Sequence, residues 1–253
     1  MKGVCKLCKL EKELIKKSHI IPDFLYRNSG MFDEKHRLRS ISKQDLLKGK
    51  KPKLRQTGIN DKNILCANCD NVVIGQYEKY ASESFYNKTL NLNNLSDCKN
   101  LKEGNINFNI CSNIDFKKYR LFLLSILFRA SISKNSFFNE VKLSNANLEN
   151  LRKMLFNDDP GNYKDFPFVL FSLNKLDLVS NDLIINPMRI EMDGMVEYNF
   201  VFAGILYKFY EGKNLDTTKF DILLMKPDND QLTIIQMEED TGKEQFNKLI
   251  GEN

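Results

Sequence analysis

The tetrapeptide "CANC" at residues 66–69 repeats the spacing of an earlier tetrapeptide, "CKLC" at residues 5–8. A Cys-x-x-Cys turn places two thiolates on one side of a tight knuckle, and two knuckles supply four soft ligands for a tetrahedral metal site. A redox motif has a single such pair at a strand-to-helix junction, and a second matching pair is not part of that pattern. We therefore expect four cysteines to bind structural Zn²⁺: Cys5, Cys8, Cys66 and Cys69.

The segment after the second knuckle is predicted to form a helix. In "DNVVIGQYEKYASESFY", residues 70–86, apolar side chains recur near helical spacing, and Asp70 or Asn71 is suited to cap the helix start. Knuckle, hairpin, knuckle and helix together form a treble-clef arrangement. Two further cysteines, Cys98 and Cys111, lack the spacing of a metal site, and we expect them to be free core thiols.

Positive charge is concentrated between the two knuckles. The chain has 253 residues and a formal net charge of +5, and nine Lys or Arg residues stand against one acid, Asp45, between residues 35 and 55. Such a surface suits a polyanionic partner, although it also serves as a solubilising surface. The residues assigned to nucleic-acid binding are Lys17, Arg27, Lys50, Lys51, Lys53 and Arg55.

No stretch of the sequence is typical of a membrane protein. The N-terminal residues lack the apolar core of a signal peptide. The most apolar run, "LFLLSILF" at residues 121–128, lies between Arg120 and Arg129. It is far shorter than the roughly 20 residues that a membrane span requires. We expect a cytoplasmic protein without a membrane partner.

His19 in "SHIIP", residues 18–22, is the candidate general base. It is one of two histidines in the chain and stands in an apolar, strand-like run. Pro22 should end this strand, because proline has no amide hydrogen to donate to a ladder, and the imidazole should lie near the exposed end. With a reference pKa of about 6.5, the ring is available in its neutral form at cellular pH. A buried core or metal-site histidine is the alternative interpretation.

Together these motifs resemble the HNH, or ββα-metal, nuclease family in its zinc-stapled form, over about residues 1–85. The resemblance places His19 on the general base, Asn63 on the central asparagine and Asp70 on the position at the helix start. It implies phosphodiester hydrolysis with Mg²⁺ or Mn²⁺, held by Asp70 with Asn63 or Asp61 in support. Asn63 has two open roles, orientation of the imidazole and ligation of the metal.

Two positions differ from the family pattern. Ser18 stands where the family commonly has a metal-ligating Asp, His or Glu, and Asp70 stands where it usually has His. A serine hydroxyl is a poor ligand for a hard cation. The interval between the cysteine pairs is also long for the family, which predicts an inserted loop or arm over residues 28–58.

The chain beyond about residue 110 predicts an α+β domain. A buried helix is expected around residues 119–128, and Ser144 should cap a second helix, "NANLENLRKMLF". Several later stretches are typical of strands: "FPFVLFSL", "DLIINPMRIEM", "MVEYNFVFAGILYKFY", "KFDILLMKP" and "QLTIIQME". We therefore divide the chain into a zinc-stapled domain, residues 1–97, and an α+β domain, residues 98–253.

Two classes of function remain open from the sequence. The first is a metal-dependent HNH-like endonuclease acting on DNA, with the second domain serving recognition, binding of a protein partner or regulation. The layout of that domain resembles HNH-like proteins found among bacterial defence and mobile-element genes. The second class is a zinc-stapled module that binds nucleic acid or protein and has lost catalysis.

Overall fold

A nine-stranded mixed sheet is the largest element of the described chain. The computed structural model describes residues 1–28, 31–84, 98–176, 182–192 and 194–238. Its helices are α1 (Asp23–Asn28), α2 (Lys43–Leu47), α3 (Gly75–Ser84), α4 (Phe116–Ile132) and α5 (Asn145–Phe156). Its strands are β1 (Lys2–Val4), β2 (Glu11–Glu13), β3 (Ser18–His19), β4 (Leu38–Ile41), β5 (Lys53–Arg55), β6 (Asn60–Asp61), β7 (Cys98–Glu103), β8 (Ile106–Cys111), β9 (Phe168–Ser172), β10 (Leu183–Met192), β11 (Met195–Phe202), β12 (Ile205–Tyr210) and β13 (Leu232–Gln236).

The large sheet has the strand order β5-β4-β10-β11-β12-β9-β13-β8-β7. Its neighbours are antiparallel except for two parallel pairs, β4 with β10 and β9 with β13. The predicted α+β class is confirmed in this broad form. β4 and β5 come from between the cysteine pairs, yet they extend a sheet built from the later part of the chain. The domain boundary predicted between residues 97 and 98 adjoins residues 85–97, which lie outside the described ranges, and it remains a prediction.

Helix α4 forms the centre of the hydrophobic core. Every residue from 119 to 131 is buried, which agrees with the predicted helix that is apolar on nearly every face. Two arginines, Arg120 and Arg129, are buried with it. Arg120 satisfies its guanidinium by donating to the carbonyl oxygens of Pro160, Asn162 and Asp165. Among the helices of the described ranges, α4 included, none is long and apolar enough to cross a membrane.

Most of the predicted elements of the later chain are present. The predicted helix over residues 145–156 is confirmed, and the Ser144 hydroxyl accepts the Asn147 N–H at 3.3 Å as its cap. The stretch over residues 195–210 is a hairpin of β11 and β12, which turns at Ala203 and Gly204 with φ of 54° and 69°. Positive φ at both turn residues is typical of a tight hairpin.

The strand predicted for "KFDILLMKP", residues 219–227, was wrong. A 3₁₀ turn, Asp221–Leu223, occupies this segment. The Asp221 carboxylate accepts hydrogen bonds from the Thr217 hydroxyl at 2.9 Å and the Tyr163 hydroxyl at 3.2 Å, and it pairs with Lys226 at 2.6 Å. Local bonds of this kind hold the backbone in a turn and compete with strand pairing.

The prediction that Cys98 and Cys111 are free thiols was also wrong. The two residues lie directly opposite each other in the β7–β8 hairpin, and their sulfur atoms form a disulfide. Their sequence spacing is not that of a metal knuckle, but hairpin pairing brings them together. Strand register, which the spacing of cysteines does not reveal, therefore decides their chemistry.

Substitution of Gly58 tests how closely Tyr26 packs against the backbone just before β6. The hydroxyl of the buried Tyr26 on α1 accepts the Ile59 N–H at 3.0 Å, and a Cβ added to Gly58 would lie 2.3 Å from Tyr26 Cε2. We expect Gly58→Ala to lower the free energy of unfolding by about 1–3 kcal/mol, because the Tyr26 ring and the backbone must move apart. Denaturant unfolding measures this change.

Gly75→Ala is the matched control. An added Cβ there would lie 3.6 Å from the Asp70 carbonyl oxygen, which is ordinary contact, and the residue has helical φ. Alanine should leave the free energy of unfolding unchanged or raise it by up to about 1 kcal/mol. Equal destabilisation by the two variants would contradict the close packing of Tyr26 on Gly58.

Candidate functional site

The two cysteine pairs meet in space. The ligand atoms of Cys5, Cys8, Cys66 and Cys69 all lie within 4.8 Å of one another. The β1–β2 hairpin holds the first pair in its turn, where the Cys5 N–H donates to the Leu10 carbonyl oxygen at 3.0 Å. Of the second pair, Cys66 precedes a π-helical stretch, Asn68–Ile74, and Cys69 lies on it; this stretch continues into α3. The cluster therefore brings residues 5–8 and residues 66–69 together.

The chemistry of the four thiols fits a metal ion. Burial raises the pKa of Cys69, and the neighbouring Cys5 raises it further, because two thiolates repel each other at this distance. The Cys66 N–H donates to Cys5 Sγ at 3.4 Å, as expected for a sulfur that carries negative charge. A divalent cation favours ionisation of all four thiols together. The cluster could therefore hold a structural metal ion such as zinc.

His19 lies on an antiparallel pair of two-residue strands, β3 and β6, which are connected through residues 20–59; this pair, here called the hairpin, is attached to the cluster. In the β3–β6 pair, Ser18 is opposite Asp61 and His19 is opposite Asn60. The pairing continues toward Cys66, since the Asn63 N–H donates to the Ile15 carbonyl oxygen at 3.0 Å and the Ile15 N–H to the Leu65 carbonyl oxygen at 2.9 Å. The cysteine cluster at one end of these contacts thus restrains the hairpin that carries His19 at the other.

The imidazole of His19 is partly exposed at the end of its strand. β3 ends at His19 and α1 begins at Asp23. The side chain therefore lies at the end of the strand, as predicted from Pro22. The side chain retains 24% of its exposed area, and its Nε2 lies 3.6 Å from Asp23 Oδ1. Burial lowers the pKa of His19, and Lys17 and Arg129 lower it further, whereas Asp23 and Asp70 oppose this shift. The neutral ring is therefore favoured near pH 7.

Asp70 lies on the first turn of the π-helical stretch. The helix begins at Asn68 after Ala67, and Ala67 provides no side-chain cap, so the expectation that Asp70 or Asn71 caps the helix was wrong. The fully buried Ser18 donates its hydroxyl hydrogen to Asp70 Oδ1 at 2.5 Å. Ser18 therefore holds the Asp70 carboxylate at the base of the His19 strand.

The other residues taken from the resemblance have partners elsewhere. Asn63 has a φ of 57°, and its side-chain amide donates to Met1 Sδ at 3.6 Å. The Asp61 carboxylate accepts the Ser133 hydroxyl at 2.8 Å, the Lys134 N–H at 2.5 Å and the Lys62 N–H at 2.7 Å. Apart from the cysteine cluster, no group of three or more potential metal ligands converges within the described ranges.

Arg129 is a residue of this region that the sequence analysis missed. Its side chain is only 2% exposed, and its Nη1 donates to the His19 carbonyl oxygen at 2.7 Å. The same nitrogen lies 2.7 Å from Glu78 Oε1 on α3, as an ion pair. Burial raises the pKa of Glu78, while the charge of Arg129 opposes that rise. An arginine at the end of a wholly apolar run is the signal that identifies such a residue in a sequence.

The predicted nucleic-acid-binding residues lie in different surroundings. Lys17 is exposed near His19, whereas Arg27 pairs with Asp23 at 2.7 Å. Lys50 pairs with Asp45 at 2.7 Å. The other three line a cavity of about 180 Å³ at the edge of the large sheet: Lys51, Lys53 and Arg55.

Metal content tests the cysteine cluster. Freshly purified protein should contain about one zinc per chain, and Cys66→Ser should lower that ratio and unfold the N-terminal third, because loss of a thiolate removes metal-dependent folding energy. Elemental analysis and limited proteolysis measure the two effects. The double variant Cys98→Ser/Cys111→Ser, which removes the disulfide sulfurs, should retain its zinc. Zinc-free parent protein would contradict the assignment.

Comparisons with known proteins identify no relative of this chain. No protein-family model, no curated protein and no solved structure matches it. Its function is therefore inferred from the geometry of the site and from the residues that carry the resemblance.

Proposed function

We propose that the chain is an HNH-like endonuclease that hydrolyses phosphodiester bonds in DNA, with structural zinc at the four cysteines and His19 as general base. The arrangement of β3, β6 and the following helix supports this proposal, because it is the strand, strand and helix order that the treble-clef form of the family requires. The layout of the later chain, which resembles HNH-like proteins among bacterial defence and mobile-element genes, supports a role in such a setting.

The surroundings of His19 are the observation that carries the proposal. A core histidine would be enclosed and hydrogen-bonded on both ring nitrogens, whereas this ring keeps 24% of its exposed area. Burial, Lys17 and Arg129 lower its pKa, which keeps the ring neutral and able to accept a proton. The neighbouring carboxylates of Asp23 and Asp70 then stabilise the imidazolium that forms.

Each nearby side chain has a distinct role in this proposal. Asp23 lies beside Nε2 of His19 and favours the tautomer of the neutral ring in which Nε2 carries the hydrogen. Nδ1 is then the nitrogen that takes the proton from water. Arg129 restrains the backbone of His19 by donating a hydrogen bond to its carbonyl oxygen. Lys17 is exposed, has no carboxylate partner among the described residues, and is placed to contact a phosphate.

Asp70 is the proposed ligand of the divalent ion. Mg²⁺ is usually held by one or two carboxylates together with waters and substrate phosphates, so a cage of protein ligands is not required. Ser18 engages Oδ1 of Asp70, and Oδ2 is therefore the proposed ligand atom. The ion supplies positive charge to the phosphate and the leaving oxygen. Asp61, which is engaged by Ser133 and Lys134, has a structural role instead.

A zinc-stapled binding module without catalysis is the second candidate. The Ser18–Asp70 hydrogen bond favours it, because one oxygen of the best-placed carboxylate is already occupied within the protein. The position of Asn63 favours it as well, since its side chain contacts Met1 rather than the imidazole. A cleavage assay separates the two candidates.

Replacement of His19 is the sharpest test of catalysis. We expect His19→Ala to lower the rate of plasmid cleavage in Mg²⁺ or Mn²⁺ by about two orders of magnitude or more, which is the effect of losing a general base. Zinc content, thermal stability and DNA affinity should stay near parental values. The experiment measures single-turnover cleavage with all four properties recorded on the same preparations.

His36 provides the matched control for that variant. It is the second histidine, exposed and stacked on Phe32 at 4.4 Å, and His36→Ala should cut at the parental rate. Asp70→Ala should raise the Mg²⁺ concentration needed for half-maximal cleavage. Parental cleavage by a stable, zinc-loaded His19→Ala variant would exclude His19 as the base.

The pH dependence of cleavage tests the protonation state of His19. The base must be neutral, so the rate should fall as pH decreases through the pKa of His19, which burial places below about 6.5. Asp23 raises this pKa, as Asp70 does, while Lys17 and Arg129 lower it. Asp23→Asn should therefore move the acidic limb of the pH–rate profile to lower pH. An acidic limb at the same pH in both proteins would contradict the proximity of Asp23 to the base.

A further inference from the structure

A small polar cavity lies at the β5 edge of the large sheet, away from the cysteine cluster. Its volume is about 180 Å³. Drug-sized ligands occupy cavities of roughly 300–1,000 Å³, so this one suits a small group and its waters. Its walls come from β4, β5, the start of α2, β10 and the turn after α4: Ser40, Ile41, Ser42, Asp45, Lys51, Lys53, Arg55, Ser136, Phe137 and Asn186.

The cations of this cavity outnumber its one carboxylate. In the described part of the chain, Lys51, Lys53 and Arg55 have no carboxylate within ion-pair distance, whereas the one acid of the cavity, Asp45, is paired with Lys50 at 2.7 Å. Nearby arginines outside the cavity do have such partners, as Arg37 has in Asp33 at 2.7 Å. The cavity therefore carries an excess of positive charge.

Arg55 is exposed, and two contacts orient its guanidinium. Its Nε donates to Ser40 Oγ at 2.8 Å, and its guanidinium lies 6.0 Å from the centre of the Phe137 ring. Ser40 in turn donates to the Lys53 carbonyl oxygen at 3.4 Å. These contacts use one edge of the guanidinium and leave both Nη groups to donate elsewhere. A planar pair of donors of this kind matches two oxygens of a phosphate.

Neutral donors complete the cavity. Asn186 Oδ1 accepts the Lys43 N–H at 2.7 Å, so the amide presents its Nδ2 as a donor. Ser42 Oγ accepts the Asp45 N–H at 3.1 Å, which leaves the hydroxyl hydrogen to donate. Cationic and neutral donors thus converge on one space.

The cavity is connected to the hairpin that carries His19. Ser136 of the cavity follows Asn135, whose side-chain amide donates to the Asn60 carbonyl oxygen at 3.0 Å. Asn60 is the residue directly opposite His19 in the β3–β6 pair. The wall of the cavity is therefore hydrogen-bonded to the β6 strand of the hairpin through the residue next to Ser136.

From these contacts we infer that the cavity is a phosphate site, which binds one phosphodiester group of the nucleic-acid strand and anchors it beside the hairpin. The inference rests on the proposed function for the identity of the ligand. Lysines on the edge strand β5 also serve to prevent pairing with another sheet edge. That protective role requires neither the oriented Arg55 nor the convergent serine and asparagine donors.

Binding to an uncleaved strand tests the inference without depending on catalysis. Protein carrying His19→Ala is titrated with a fluorescently labelled oligonucleotide duplex over a range of salt concentrations. Adding Lys53→Gln and Arg55→Gln should weaken binding at least about tenfold, because charge-assisted hydrogen bonds are lost. The slope of log affinity against log salt should become shallower by about two. Inorganic phosphate should compete with the duplex for the His19→Ala protein. It should not compete for the protein that also carries Lys53→Gln and Arg55→Gln.

Lys99→Gln with Lys102→Gln is the matched control, because it removes the same charge from the exposed strand at the opposite edge, β7. This control should bind with an unchanged salt slope. Equal losses in the two charge variants, no loss in either, or no binding by the parental protein would each overturn the phosphate site. A parental protein that binds through Lys53 and Arg55 but does not cut DNA would leave the site in place and refute the nuclease proposal alone.

Discussion

The buried guanidinium of Arg129 is the contact on which the arrangement of the site depends. Its Nη1 reaches both the His19 carbonyl oxygen and Glu78 Oε1 from the central helix α4, 110 residues away in sequence from His19. A buried guanidinium needs partners for its donors, and removing one partner of a buried ion pair costs about 3–5 kcal/mol. Arg129 therefore ties the hairpin, the helix after the second cysteine pair and the main core into one unit.

The hairpin is restrained from two directions. The cysteine cluster closes it at the end near Cys66, where a bound metal adds folding energy. Nearer to His19, Asp61, which is opposite Ser18, accepts hydrogen bonds from Ser133 and Lys134, just beyond the C-terminus of α4. His19 directly follows Ser18, the partner of Asp61, and its side chain is partly exposed. A general base needs this combination of a rigid backbone and an accessible ring, because proton transfer depends on position.

Local patterns predicted the parts of this molecule that are set by local chemistry. The two Cys-x-x-Cys turns identified the cysteine cluster, the proline after "SHII" placed His19 at a strand end, and apolar runs located α4 and several strands. Long-range partners were not accessible in this way. The pairing of Arg129 with His19, the Cys98–Cys111 disulfide, and the addition of β4 and β5 to the large sheet all depend on register and topology. The same holds for Asn60, which lies opposite His19 and has no motif of its own.

We propose that one zinc-held hairpin presents His19 next to a carboxylate-bound catalytic cation. Anomalous scattering from crystals of zinc-loaded protein, soaked with Mn²⁺ and an uncleavable phosphorothioate duplex, tests it most directly because it assigns each metal at its own absorption edge. We expect zinc among Cys5, Cys8, Cys66 and Cys69, and manganese within coordination distance of Asp70 on the side that faces His19. Zinc at the cysteines with no manganese at Asp70 would contradict the claim and favour a binding module.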